Sequence, residues 1–396
     1  MLQATIRCAS LVFSLAVAAA VPAQTVWNVP AGADLTQAFA AAAPGDVMLL
    51  APGRYSRFAL GKGLTVVGPA LIEAVATPGP IVPSTVTVPT GQAARLIGLD
   101  FAATPAVGHS LSLSGSVSLE DCMVGPGGDL SAPTLDTIGS LVMQRCTVRG
   151  GGMWVAGGTV SLSRCELHGR PAFVLSSFAL LASAALHVAA GEVVGSHVTA
   201  TGGQGAWGPG TWGYPWLLPS APAIAVFGTA RVTLCDSSLA GGPLGGGNGA
   251  PAIDSTSSFA VRHARTNLTG TNGLPTVGNV VGDARLVGMQ LDRGLRLGAT
   301  STATATAGVA QQLLGIVGGF DATPSSVFGV AGPTYGAASG PILLTIAMPP
   351  AGAPVATSVA VPNHAGLLGI GVWLQALQFD GASQWTASPV VGGVVH

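Results

Sequence analysis

The strongest pattern along the chain is a short apolar strand that ends in glycine and then returns. "VSLEDCMVGPGG" from Val117, "LVMQRCTVRGGG" from Leu141 and "VSLSRCELHGR" from Val160 each set an apolar residue three positions before a cysteine and another two after it, followed by glycine. Leu119, Cys122 and Val124 thereby match Met143, Cys146 and Val148, then Leu162, Cys165 and Leu167. Looser copies keep the same count: Leu96, Leu99 and Phe101; Val194 and His197; Leu234, Ser237 and Leu239; Val261 and Ala264. From Leu96 onward the copies lie 23, 24, 19, 32, 40 and 27 residues apart. Strands that hold their pattern while the connections change length mark a solenoid whose insertions fall on particular sides. Each copy alternates or runs briefly apolar before its glycine, so the unit is a β-coil and not a helical pair. Parallel strands stack about 4.8 Å apart, so roughly ten coils make a rod on the order of 50 Å long.

The stretches at either side of the repeats differ. In "ADLTQAFAAAAPGDVMLLAPGRYSRFALGKGLTVVGPA", Asp34 and Gln37 have the spacing of a capping box, and an Ala-rich helix follows until Pro44-Gly45. Strands are expected at 47–50 and 64–67. One amphipathic helix at this point can cover the end of the solenoid. After about residue 285 the cysteine repeat stops. "LRLGATSTATATAG", "PILLTIAMP", "ATSVAVP" and "LLGIGVWLQALQFD" read as strands split by Pro and Gly turns, which predicts a small β-sandwich over 290–396.

The stretch "PGDVMLLAPGRYSRF…GKGLTVVG" resembles the opening of right-handed parallel β-helix proteins of the pectate-lyase-like group, and the repeats to about Gly282 are similar to their coils. The resemblance implies an all-β chain with a right-handed parallel β-helix over 24–285. It implies little about activity, because that architecture carries lyases, hydrolases, esterases and adhesins alike. "HAGLLGIGVWLQALQFDGASQWTASPVV" resembles C-terminal modules on large secreted proteins of planctomycete-type bacteria.

Composition narrows the setting. Asp, Glu, Lys and Arg make up 8% of the chain, against roughly 25% in ordinary soluble domains. A net charge of −1 leaves no basic field for nucleic acid. Residues 1–23 carry Arg7, an apolar run from Leu11 to Ala20 and small residues at Val21 and Ala23, the layout of a cleavable signal peptide. Export is therefore expected, with no membrane span after cleavage and a secreted or cell-surface location. Cys122, Cys146 and Cys165 fall in one inward slot of successive coils. Parallel neighbours nearly 5 Å apart are wide for a disulfide, so the three read as a buried stack, with a disulfide in an oxidising location as the alternative. The cysteines and histidines lack zinc-ligand spacing.

Chemistry is sparse. Glycoside hydrolysis uses two carboxylates flanking one bond, and the 16 acidic residues are scattered without an Asp-Asp pair. No carboxylate cluster suits calcium. Aligning the Cys146 and Cys165 coils pairs Arg145 with Arg164, Thr147 with Glu166 and Arg149 with His168, and Arg170 follows. One reading is a solvated face on which Glu120, Asp121 and Glu166 balance the arginines. The other is a clamp for carboxylate or sulfate groups of an acidic polysaccharide, in which Arg149 or His168 could abstract a proton. The second feature is "WGPGTWGYPWLLP", which crowds Trp207, Trp212, Tyr214 and Trp216 into an enlarged glycine-rich turn. These rings read either as a sugar-stacking platform or as an apolar lid.

The expectation is a secreted or surface β-helix that binds extracellular or envelope polysaccharide or serves in surface structure. No catalytic residue, metal or cofactor is assigned. The alternative is a divergent polysaccharide lyase or glycoside hydrolase of the pectate-lyase-like group.

Overall fold

A computed structural model describes residues 24–73, 83–102, 111–125, 134–174, 179–209, 215–243, 249–271, 273–320, 324, 330–331, 333–335, 342–379 and 384–396. The expected signal peptide lies outside the described residues.

The repeats form a parallel β-helix with three faces, here sheets A, B and C. Sheet A stacks Val26–Val29, Val47–Leu50 and the first part of Thr65–Glu73 and of Ala94–Ala102. It continues through the second half of Leu111–Glu120, of Leu135–Gln144 and of Met153–Ser163. Glu192–Ser196, Arg231–Cys235, Val261–Ala264 and Val280–Gly282 complete it. Sheet B follows in each coil, with Met123–Val124, Thr147–Val148, Glu166–His168, Thr199–Thr201, Ser238–Ala240 and Asn267–Thr269 in parallel register. Sheet C opens the next coil. It includes Leu186–Val188, Ile224–Val226, Ile253–Ser255 and Thr276–Gly278.

Alternate residues point inward and stack on their equivalents. Val117, Leu141, Val160, Val193, Val232 and Val261 make one inward column of sheet A, each at most 4% exposed. Cys122, Cys146 and Cys165 are free and buried. Cys235 is also free and buried, but it faces out of sheet A, where its thiol reaches the Val287 carbonyl.

The register corrects two of the looser repeats. Leu162 is followed by Gly195 and not Val194, and Leu234 by His263 and not Val261. The reason at Gly195 is steric. A Cβ there would lie 2.7 Å from Leu234 Cδ2 and 3.1 Å from Val198 Cγ2, so neighbouring side chains fill the slot. His197 consequently moves out of the cysteine slot into the corner beside Arg164.

The N-terminal helix spans Leu35–Ala41, and Asp34 caps it by accepting from the Thr36 and Gln37 amides. Its buried Leu35 and Phe39 close one end of the solenoid, with the Phe39 ring edge-on to Phe58 at 5.1 Å.

Beyond Gly282 the ladders of the solenoid stop. Gly288–Leu291, Thr300–Thr306 and Pro354–Ala360 form one antiparallel sheet. Leu314–Gly319, Ile342–Ala347, Gly371–Phe379, Trp385–Ala387 and Val391–Val394 build a second. Met289, Ala303 and Ala305 from the first pack with Leu314, Ile316, Leu374 and Val391 from the second, a sandwich core distinct from that of the solenoid.

The sandwich lies on the outer face of sheet A. Ser161 Oγ accepts from the Val390 amide at 3.0 Å, and Ser163 and Ser196 donate to the Met289 carbonyl. Val142 packs with Tyr335, Trp373 and Val390. Arg95 donates to the Gly369 carbonyl, and burial pushes its pKa down to about 10.

At the C-to-A corner the backbones of successive coils nearly touch. Gly158 has φ +87°, and a Cβ there would overlap the Gly139 carbonyl oxygen. Gly158→Ala is expected to cost about 2–5 kcal/mol, a left-handed penalty of about 1–2 plus overpacking of about 1–3. Gly32, at φ +80° with open space around it, should cost only the first. Denaturant midpoints of the two variants test this, and equal losses would rule out the corner contact as the limiting factor.

Candidate functional site

The A-to-B corner is a column of non-glycine residues in the left-handed region. Asp121, Arg145, Arg164, His197, Asp236 and Arg265 have φ between 48° and 54° in consecutive coils. Such backbone costs about 1–2 kcal/mol per residue, and ion pairs offset part of it. Arg145 Nε lies 2.7 Å from Asp121 Oδ1, and its Nη2 lies 2.6 Å from Glu120 Oε1. Arg265 Nε meets Asp236 Oδ1 at 2.6 Å. Arg164 Nη1 instead donates to the Leu291 and Asp292 carbonyls at 3.1 and 3.0 Å, which ties the corner to the sandwich. Glu120 is buried beneath Gly294 and Gly393. Burial raises its carboxyl pKa, and the charges of Arg145 and His396 oppose the rise.

The sequence candidates therefore divide. Arg145 and Arg164 serve the corner and the interface. Arg149, Glu166 and His168 come together on the outside of sheet B, with Arg149 Nη2 at 3.8 Å from Glu166 Oε2 and His168 Nε2 at 2.8 Å from Glu166 Oε1. Arg170 turns into the next connection, where its Nη2 donates to the Leu181 carbonyl at 3.1 Å. A cavity of about 380 Å³ gathers Arg164, Glu166, His197, Thr199 and Gln290. Burial first, then Arg164 and Arg265, lower the His197 pKa against the pull of Asp236, favouring its neutral form.

Trp207 and Trp216 lie on the strands of a two-stranded antiparallel hairpin, Ala206–Pro209 with Pro215–Leu218. It rises from the B-to-C connection, beside the smaller hairpin Phe173–Val174 with Ala179–Leu180. Trp212 and Tyr214, and the side chains of Trp207 and Trp216, lie outside the described residues. A separate aromatic ladder stands on sheet C. Trp154 stacks on His187 at 5.3 Å and His187 on Phe227 at 6.3 Å, so the rings cover one another's faces.

A second opening was not foreseen. A groove of about 580 Å³ runs between the C-to-A edge of sheet A and the sandwich. Thr159, Glu192 and Arg231 line it from the same outward slot of three consecutive coils. Thr233, Phe259 and Arg262 extend it, and Val330, Ala331 and Pro333 form part of the opposite wall. Arg231 holds its guanidinium carbon 4.2 Å from the Phe259 ring centre. Arg262 is fixed by Asp283, with its Nε at 3.0 Å. Among the described residues, Glu192 and Arg231 have no side-chain hydrogen bond or ion pair. Burial raises the Glu192 carboxyl pKa, and the Arg231 charge opposes the rise. One signal marked this slot in the sequence: Thr159 and Arg231 stand three residues before Leu162 and Leu234. Placing Val194 where Gly195 belongs turned Glu192 to the inward parity and hid the column.

Among the described residues there is no cluster of three or more His, Cys, Asp or Glu that could hold a metal ion, and no helix is long and apolar enough to cross a membrane.

Two tests follow. Arg145→Met should destabilise the protein by about 3–5 kcal/mol, because it takes the guanidinium from a buried carboxylate. Adding Glu120→Gln should recover much of that loss in equilibrium unfolding, and no recovery would show that Arg145 acts through packing alone. The second concerns acid stability. Burial pushes the Asp283 carboxyl up, but hydrogen bonds from Arg285 and Arg262 outweigh it, so its pKa falls well below 3.8. A depressed carboxyl stabilises the fold above the unfolded pKa and loses that contribution as pH falls. Asp283→Asn should flatten the stability profile below about pH 4, whereas an unchanged acid limb would remove Asp283 from its origin.

A scan of protein families finds no model that matches this chain, and a search of curated proteins finds no relative.

Proposed function

We propose that this protein binds an extended polysaccharide along the groove between sheet A and the sandwich, outside the cell. The observation that carries the reading is the pair Glu192 and Arg231. They stand in one slot of adjacent coils, face the groove, and among the described residues keep their hydrogen-bonding capacity unspent. Coils repeat about every 4.8 Å, close to the length of one pyranose residue. A row of hydroxyl, carboxylate and guanidinium at that interval offers acceptors and donors to successive sugar hydroxyls, and Phe259 supplies apolar surface beside them.

Export through residues 1–23 and kinship with pectate-lyase-like β-helices belong to this reading. The similarity of the C-terminal stretch to planctomycete-type modules supports a surface setting. Arg149, Glu166, His168 and the hairpin bearing Trp207 and Trp216 flank other edges of the solenoid, so in this reading they are secondary contacts. Binding is favoured over hydrolysis because Glu192 is the single carboxylate among the described residues of the groove, where hydrolysis uses two.

Titration calorimetry against neutral and uronate-containing polysaccharides tests the proposal. Wild type should bind at least one. Glu192→Gln and Arg231→Ala should each weaken binding about tenfold or more, the effect of losing a hydrogen bond to a charged group. Binding unchanged in both variants, or none by wild type, would overturn it. Release of new reducing or unsaturated ends would establish the lyase or hydrolase alternative instead.

A further inference from the structure

The two ends of the solenoid are unlike. Leu35 and Phe39 of the N-terminal helix seal the first coil. At the other end, among the described residues, the inward columns run on without a cover. Leu239 and Val261 are 0% exposed, but Leu268 and Val280, their stacked equivalents in the last coil, are only partly buried. On the rim of the same coil, Val277 is 41% and Val281 48% exposed. Among the described residues, Asn267–Thr269, Thr276–Gly278 and Val280–Gly282 each pair with the coil before them and with no strand beyond. Free strand edges are ordinarily guarded by charge, yet 266–282 contains no Asp, Glu, Lys or Arg.

We propose that this end docks on the same end of a second copy of the chain, forming a two-fold dimer. Three strand edges arranged around a closed coil are matched by another coil of the same shape, which a single added strand cannot provide. The helix closes the opposite end, so head-to-tail growth is blocked and the contact is of like end to like end. A two-fold axis across the solenoid reverses the direction in which the chain runs around the facing coil, so facing strands run antiparallel, the slightly stronger pairing. The absence of charge in 266–282 allows these edges to meet their copies without like-charge repulsion. Leu268 and Val280 of both copies then join one continuous core.

The test is the molar mass of the purified protein by sedimentation equilibrium across the micromolar range. Wild type should approach twice the monomer mass. Val277→Lys/Val281→Lys changes exposed side chains, so circular dichroism should be unchanged while the dimer dissociation constant rises at least tenfold. Gln37→Lys, on the helix-covered end, should dimerise as wild type does. A wild type that stays monomeric at every concentration overturns the proposal. So does a folded double variant that dimerises normally, or a loss of dimer in Gln37→Lys.

Discussion

Each coil must set every side chain over its equivalent in the coil before, and this in-register stacking governs the rest of the molecule. Inside, it favours like on like: valine over valine in sheet A, cysteine over cysteine after the A-to-B corner. At the corners it is more demanding, because backbone repeats as strictly as side chains. The C-to-A corner meets the demand with glycines whose missing Cβ leaves room for the next carbonyl. The A-to-B corner meets it with left-handed charged residues. A column of arginines would repel itself, so Arg145 turns to the acids of the preceding coil, Arg164 turns outward to the sandwich carbonyls, and Arg265 turns back to Asp236.

The same regularity gives the sandwich a surface on which to dock. Outward positions of sheet A are small and hydroxylated at Ser118, Ser161, Ser163 and Ser196, and all four are buried. Buried hydroxyls stabilise an interface only when they are hydrogen-bonded. Ser161, Ser163 and Ser196 find backbone partners at Val390 and Met289. Because these contacts are largely to main chain, the sandwich is held by its backbone course, with the apolar group of Val142, Tyr335, Trp373 and Val390 packed between.

Much of the architecture was legible in the sequence, because stacking imposes a visible repeat. The cysteine coils, the helical cover with Asp34 as its cap and the change of texture near residue 285 all left local signatures. Pairing Thr147 with Glu166 followed directly from counting. What was not legible depended on two things that counting cannot supply. A glycine in an apolar slot, as at Gly195, breaks the pattern where neighbours fill the space, and one slipped residue exchanges inside for outside. Nor does a repeat reveal which outward face a later segment will cover. Arg145 and Arg164 look like a solvent-facing row until the sandwich lies beside them, and the groove exists only because of that contact.

This bears on where function should be sought in such a fold. Unlike residues in one column need a physical reason. At the A-to-B corner the reason is internal for Asp121, Arg145, Asp236 and Arg265, which pair with one another, and for Arg164, which ties to the sandwich. The rings of Trp154, His187 and Phe227 stack on one another. Thr159, Glu192 and Arg231 have no such account. Glu192 is partly desolvated, and Arg231 rests on Phe259, its charge acting on Glu192 without an ion pair between them. Among the described residues this carboxylate and guanidinium, one coil apart, form no ion pair with each other, which is what the proposed reading assigns to a ligand. In the proposed reading, the groove is where a ligand, and not the solenoid itself, accounts for the residues present.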